Sequence, residues 1–160
     1  MNTDKHRQRL SDTLELEIDA VKKLSRSLMA EYEAACTREV SALEQAVNDK
    51  QECLNYLEDL EQDRIFIVES IGFKPANDGM DNCLLACDVN GKITTLWQNL
   101  LSLARSCRKQ NRINRLLVKV GSDYTHHALR VMRGEDPGPK LHGPNGDTDY
   151  VHDNGCLAFV

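Results

Sequence analysis

Residues 1–71 contain neither glycine nor proline; the first of each are Gly72 and Pro75. Helix interiors exclude both and turns need both, so this first stretch reads as helix with little interruption. Aromatic residues make up only 5% of the 160-residue chain (Trp97, Phe66, Phe73, Phe159 and four tyrosines), which disfavours a large aromatic-lined ligand pocket. Long hydrophobic runs are missing too. The longest apolar clusters, such as Ile65–Val68 and Leu116–Val118, are far too short to span a bilayer. Met1–Leu10 is charged and lacks the apolar stretch of a secretory signal. A cytoplasmic chain without membrane insertion is expected.

The usual signatures of catalysis are absent as well. There is no HExxH, no GxSxG and no glycine-rich phosphate loop between a strand and a helix. The adjacent His126 and His127 would point about 100° apart on a helix, which hardly suits one metal. Acidic groups such as Glu58, Asp59 and Glu61 are what a solvated helix face carries. Neither an enzyme nor a cofactor is expected. The six cysteines (Cys36, Cys53, Cys83, Cys87, Cys107, Cys156) form no CxxC pair. Cys83 and Cys87 have helical spacing, and a metal there would need two more ligands, with His126/His127 or His152/Cys156 as candidates. Against this, free cysteine behaves as a small buried hydrophobe, and Cys36, Cys53 and Cys107 sit where small apolar side chains are wanted. A disulfide framework is not expected without an export signal.

What is present is helical periodicity. Leu10, Leu14, Val21, Leu24 and Leu28 form one stripe, with Ile18 beside it. A second stripe runs through Val40, Leu43, Val47, Leu54, Leu57, Leu60, Ile67 and Ile71. Thr37 and Ser41 are candidate N-caps between the two, and Ser41–Glu44 has capping-box form; nothing near Cys36 breaks a helix outright, so continuity there stays open. A short helix fits Met80–Asp88. From Lys92 a longer helix alternates three- and four-residue spacing, with Ile93, Leu100, Cys107, Asn114, Gly121 and Ala128 in one row. Leu96, Leu103, Gln110, Leu117, Tyr124 and Val131 form the other, making a coiled-coil-like seam. Gln110, Asn114 and Gly121 either fix its register or weaken it. From Gly134 on, five glycines and three prolines fall within 27 residues. The expected fold is all-α: an elongated antiparallel hairpin or bundle of three long helices, with room for one short extra helix and an irregular C-terminal tail. As one domain it divides into a hairpin at 1–71, a loop at 72–91, a long amphipathic helix at 92–133 and a flexible tail at 134–160.

Charge follows the same divisions. The net charge of −5 hides 16 acidic and 9 basic groups in 1–71, 4 and 10 in 72–133, and 5 and 1 in 134–160. Arg105, Arg108, Lys109, Arg112, Arg115 and Lys119 wrap one face of the last helix, opposite Leu96, Leu103 and Leu117. That face suits contact with the acidic helices, docking of an acidic protein, or a nucleic-acid or membrane surface. The last option lacks the stacking aromatics or recognisable module that nucleic-acid binding adds, so no nucleic acid is expected. Interaction remains: a protein that holds another helix in a groove, or a coiled-coil scaffold or regulator assembling through the Ile93–Val131 seam.

Asn111-Arg112-Ile113-Asn114-Arg115-Leu116-Leu117, Ala128-Leu129-Arg130-Val131-Met132-Arg133-Gly134 and Leu141-His142-Gly143-Pro144-Asn145-Gly146 follow one another along the chain. In order and spacing these three segments resemble the FlgN family of flagellar type III export chaperones. The leucine-spaced run Asp49–Glu61 is similar to the family's second helix. Arg115 stands where the family usually has glycine, and His142 where it usually has tyrosine, keeping a flat ring with a polar tip. The resemblance implies a cytoplasmic chaperone that binds the C-terminal helical segments of the hook-filament junction proteins FlgK and FlgL. Such a chaperone prevents their premature assembly and passes them to the export gate. Client contact would fall on Leu117, Val120, Tyr124, Ala128 and Val131; the alternative is that these residues pack on the first two helices. Docking on the cytoplasmic domain of the gate protein FlhA would use Leu141, His142 and Gly143, in a tail whose turn residues suit a recognition arm.

Overall fold

A computed structural model of the chain describes residues 2–74 and 79–134. Four helices follow in order: α1 (Asn2–Thr37), α2 (Val40–Ser70), α3 (Gly79–Cys87) and α4 (Lys92–Met132), with no strand among the described residues. The all-α bundle expected from periodicity is what forms. The part of the tail from Glu135 on, including Leu141, His142, Gly143 and Cys156, lies outside the described residues.

Helix α1 is the hub, packing against both α2 and α4, which make little contact with each other. Its stripe of Leu10, Leu14, Ile18, Val21, Leu24 and Leu28 is buried throughout. Cross-helix bonds give the directions. Ser70 lies 3.3 Å from His6, Arg64 binds Glu17 and Lys50 binds Glu31, so α2 runs antiparallel to α1. The Cys107 thiol contacts the Val21 carbonyl at 3.8 Å and Asn114 reaches the Leu28 carbonyl at 2.8 Å. Both pairs are separated by 86 residues; α4 therefore runs parallel to α1 in constant register, and the topology is up-down-up.

Helices α1 and α2 are separate. Arg38 takes a left-handed conformation (φ 59°), and the Glu39 amide reaches back to the Ala34 carbonyl at 3.1 Å. This is the helix-ending motif usually built on glycine. The expected caps do not form. Thr37 is the last residue of α1, its hydroxyl donating back to the Glu33 carbonyl at 3.0 Å. Ser41 already lies inside α2, and Glu39 at the N-cap makes no side-chain cap. The left-handed turn starts α2 two residues too early for Ser41 to cap it. The first two turns of the α2 stripe also differ from expectation: Val40 and Val47 are exposed, while Ala46 is buried. Antiparallel pairing sets this end of α2 against the last turn of α1, where the leucine stripe has run out. Cys36 sits in that same turn and is exposed, whereas Cys107 is buried and Cys53 half-buried.

At the other end, α2 closes with Gly72 (φ 103°). The Gly72 amide bonds the Glu69 carbonyl at 2.9 Å and the Phe73 amide bonds that of Val68 at 3.2 Å, and Phe73 folds onto the core. Helix α3 then buries Met80, Cys83, Leu84 and Cys87 against this end. Its first residue must be glycine, because a Cβ on Gly79 would run into the Lys74 carbonyl. Burial, together with neighbouring Cys87, pushes the Cys83 thiol up to about 12, so it stays a neutral core group. Asp88 accepts hydrogen bonds from the Thr94 amide (2.8 Å) and hydroxyl (2.6 Å), satisfying the start of α4.

Candidate client-binding face

The seam on α4 divides near its middle. Ile93, Leu100, Cys107 and Asn114 are buried, and Leu96, Leu103, Gln110 and Leu117 half-buried; beyond them Gly121, Tyr124 and Val131 are exposed. The constant register explains the change. It places Thr37, where α1 ends, opposite Asp123 of α4. Residues after Asp123 have no α1 beside them, and at about 1.5 Å per residue they extend roughly 14 Å past it. Ala34, the last buried residue of α1, stands opposite Val120.

A buried polar clasp marks the boundary. Asn114 is 1% exposed. Its amide nitrogen donates to the Leu28 carbonyl and to a Glu31 carboxylate oxygen, both at 2.8 Å. Gln110 donates to the Asn114 side-chain oxygen at 2.9 Å, and Lys50 of α2 closes the set on Glu31 at 2.6 Å. All three long helices are thereby tied together. Of the two roles open for Asn114, the geometry supports fixing register. A second buried set lies nearer the other end. Arg64 meets both carboxylate oxygens of Glu17 at 3.0 and 3.1 Å, bonds Glu61 at 3.4 Å and stacks over Trp97 at 4.9 Å.

From the clasp onward, α4 carries an apolar stripe at three- and four-residue intervals: Ile113, Leu117, Val120, Tyr124, Ala128 and Val131. Val120 is 66% exposed, Tyr124 67% and Val131 53%; Leu117 and Ala128 are half-buried. The helix thus brings the five residues named from sequence onto one face, on which Val120, Tyr124 and Val131 stand free of the packing on α1 and α2. Ile113 and Leu116, both exposed, extend the face upstream and were missed. Periodicity already places Ile113 in line, one turn before Leu117. Glu31 and Lys50 were missed too, although Glu31 follows Leu24 and Leu28 at stripe spacing, and an acid at a stripe position signals a buried pair. Arg105, Lys109, Arg112, Arg115 and Lys119 are exposed along the adjoining face, so the apolar stripe is flanked by positive charge.

A family model described as FlgN protein matches residues 1–149. The chain belongs to the FlgN family. It is a flagellar export chaperone in that general sense, and the stripe on α4 is its candidate client-binding face. No curated protein and no solved structure matches the chain. Within this FlgN-family chain, no described helix is long and apolar enough to cross a membrane. Among the described residues no group of three or more His, Cys, Asp or Glu could hold a metal ion. His126 and His127 are both exposed.

Proposed function

We propose that this chain is a cytoplasmic chaperone for FlgK and FlgL. It binds their C-terminal helical segments along the Leu117, Val120, Tyr124, Ala128 and Val131 face, holds them from premature assembly and delivers them to FlhA. The observation that carries this is a largely exposed apolar stripe at helical spacing that runs from the Asn114 clasp to the end of α4, its last three members lying beyond the end of α1. From Ile113 to Val131 it is about 27 Å long, room for five turns of an amphipathic partner laid helix-in-groove. Fully burying each large aliphatic side chain is worth roughly 1.5–3 kcal/mol. Ordering a disordered client offsets part of that gain, which suits a complex that must later let go. A scaffold built on the Ile93–Val131 seam has less to work with, because the first half of that seam is already filled by α1.

Leu141, His142 and Gly143 are proposed as the gate-docking residues. The test separates the two surfaces. The chain is co-expressed with FlgK or FlgL and scored for retention, and separately for capture on the FlhA cytoplasmic domain. Val120→Asp combined with Tyr124→Asp lies on exposed positions, so the helical circular dichroism and melting temperature should hold while client retention falls at least tenfold. Leu141→Ala or His142→Ala should weaken FlhA capture and leave client retention intact. Failure of the unaltered chain to retain either junction protein would refute the client assignment.

A further inference from the structure

The exposed face of α4 combines an apolar stripe with a row of cations. Lys109, Arg112, Arg115 and Lys119 have no acidic partner among the described residues. A second copy of this arm is a poor occupant, because pairing the two would bring like-charged rows together. The chain itself carries the complementary sequence. Residues 135–160 hold five acidic groups (Glu135, Asp136, Asp147, Asp149, Asp153) against one lysine, with Tyr150 and Val151 set among the last three acids. We infer that residues 147–153 dock on the exposed face of α4 in the client-free chain, their aspartates on Arg112, Arg115 and Lys119 and their apolar residues over Leu116 and Val120.

Reach permits this. Asp147 follows Gly134 by 13 residues, a span of at most about 45 Å. Along α4, Lys119 is about 22 Å and Arg112 about 33 Å from Gly134. The segment leaves α4 at Gly134, whose left-handed conformation (φ 70°) ends the helix. Intramolecular tethering raises the local concentration of the acidic segment to the millimolar range for short linkers. Weak surface ion pairs then suffice to populate the contact without making it permanent. Its role as a placeholder on the client face rests on the chaperone reading above; the contact itself does not.

Zero-length carbodiimide crosslinking of the full chain tests it, using an equal mixture of unlabelled and nitrogen-15-labelled protein. Lys119 and Lys109 should be joined to Asp147, Asp149 or Asp153, with both peptides always carrying the same label. The Asp147→Asn, Asp149→Asn, Asp153→Asn triple variant should show several-fold faster amide exchange over 113–132, as should the unaltered chain in high salt. Mixed-label crosslinks would assign the face to a second copy and overturn the inference. So would crosslinks of those lysines to α1 or α2 acids alone, or unchanged exchange in the variant. No client enters either measurement, so its failure is distinct from failure of FlgK or FlgL to bind.

Discussion

Replacing Asn114 with alanine removes the centre of the clasp at the point where α4 leaves the bundle. Two donated hydrogen bonds go, one to the Leu28 carbonyl and one to the Glu31 carboxylate, and Gln110 loses its acceptor. A hydrogen bond to a charged group is worth about 1.5–3 kcal/mol and a neutral one about 1 kcal/mol. The Leu28 carbonyl retains its place in the α1 ladder, and Lys50 still neutralises Glu31, so the sum is discounted to about 2–3 kcal/mol. Unfolding entropy of about 2.1 cal/mol/K per residue over about 130 residues converts this to a drop in Tm of roughly 7–11 °C. Thermal unfolding followed by circular dichroism at 222 nm gives the shift, and urea titration checks that the m-value is unchanged. Asn114→Leu is the informative companion. It refills the seam with apolar volume, so it should recover part of the loss while leaving Glu31 with Lys50 alone. An Asn114→Ala variant within about 0.5 kcal/mol of the parent would refute the view that this clasp holds the three helices in register.

Two further outcomes follow from buried or strained positions. Burial pushes the Glu17 carboxyl from its ordinary 4.5 up to about 7, against the pull of Arg64. An acid whose folded pKa lies above its unfolded one adds stability while protonated. That contribution is full below about 4.5 and is lost as pH rises through about 7, so unfolding free energy should decline by roughly 1–3 kcal/mol across that window. Glu17→Gln should flatten the decline in urea titrations at stepped pH, and an equally steep decline in the variant would count against it. Arg38 holds a left-handed conformation (φ 59°) that costs an L-residue roughly 1 kcal/mol. Arg38→Gly should therefore raise stability by about 0.5–1 kcal/mol, and a lowered Tm would show that the Arg38 side chain contributes something not visible in its contacts.

Much of the architecture was written in local pattern. The missing glycine and proline before Gly72, and the 3.6-residue stripes through α1 and α2, are properties of neighbouring residues, and they determine helix wherever an apolar face finds cover. The five stripe residues from Leu117 to Val131 were legible for the same reason, since their spacing alone sets them on one side of a helix. Two things were not legible. Thr37 and Ser41 had capping chemistry, but a left-handed Arg38 placed the turn between them, and only the packed hairpin holds an arginine there. Val40 and Val47 kept the stripe period yet stayed exposed, because burial needs a partner and the α1 leucines had ended.

The same contrast decides the candidate site. By itself the sequence determined that α4 is amphipathic from end to end, with Asn114 interrupting an apolar row. Whether Leu100 and Tyr124 share one fate depends on the parallel register of α4 with α1, which the Asn114–Leu28 and Cys107–Val21 contacts record. Because α1 stops at Thr37, one half of a continuous pattern becomes core and the other half stays exposed. Periodicity is local and can be read along the chain; the length of the neighbouring helix at a given register is not.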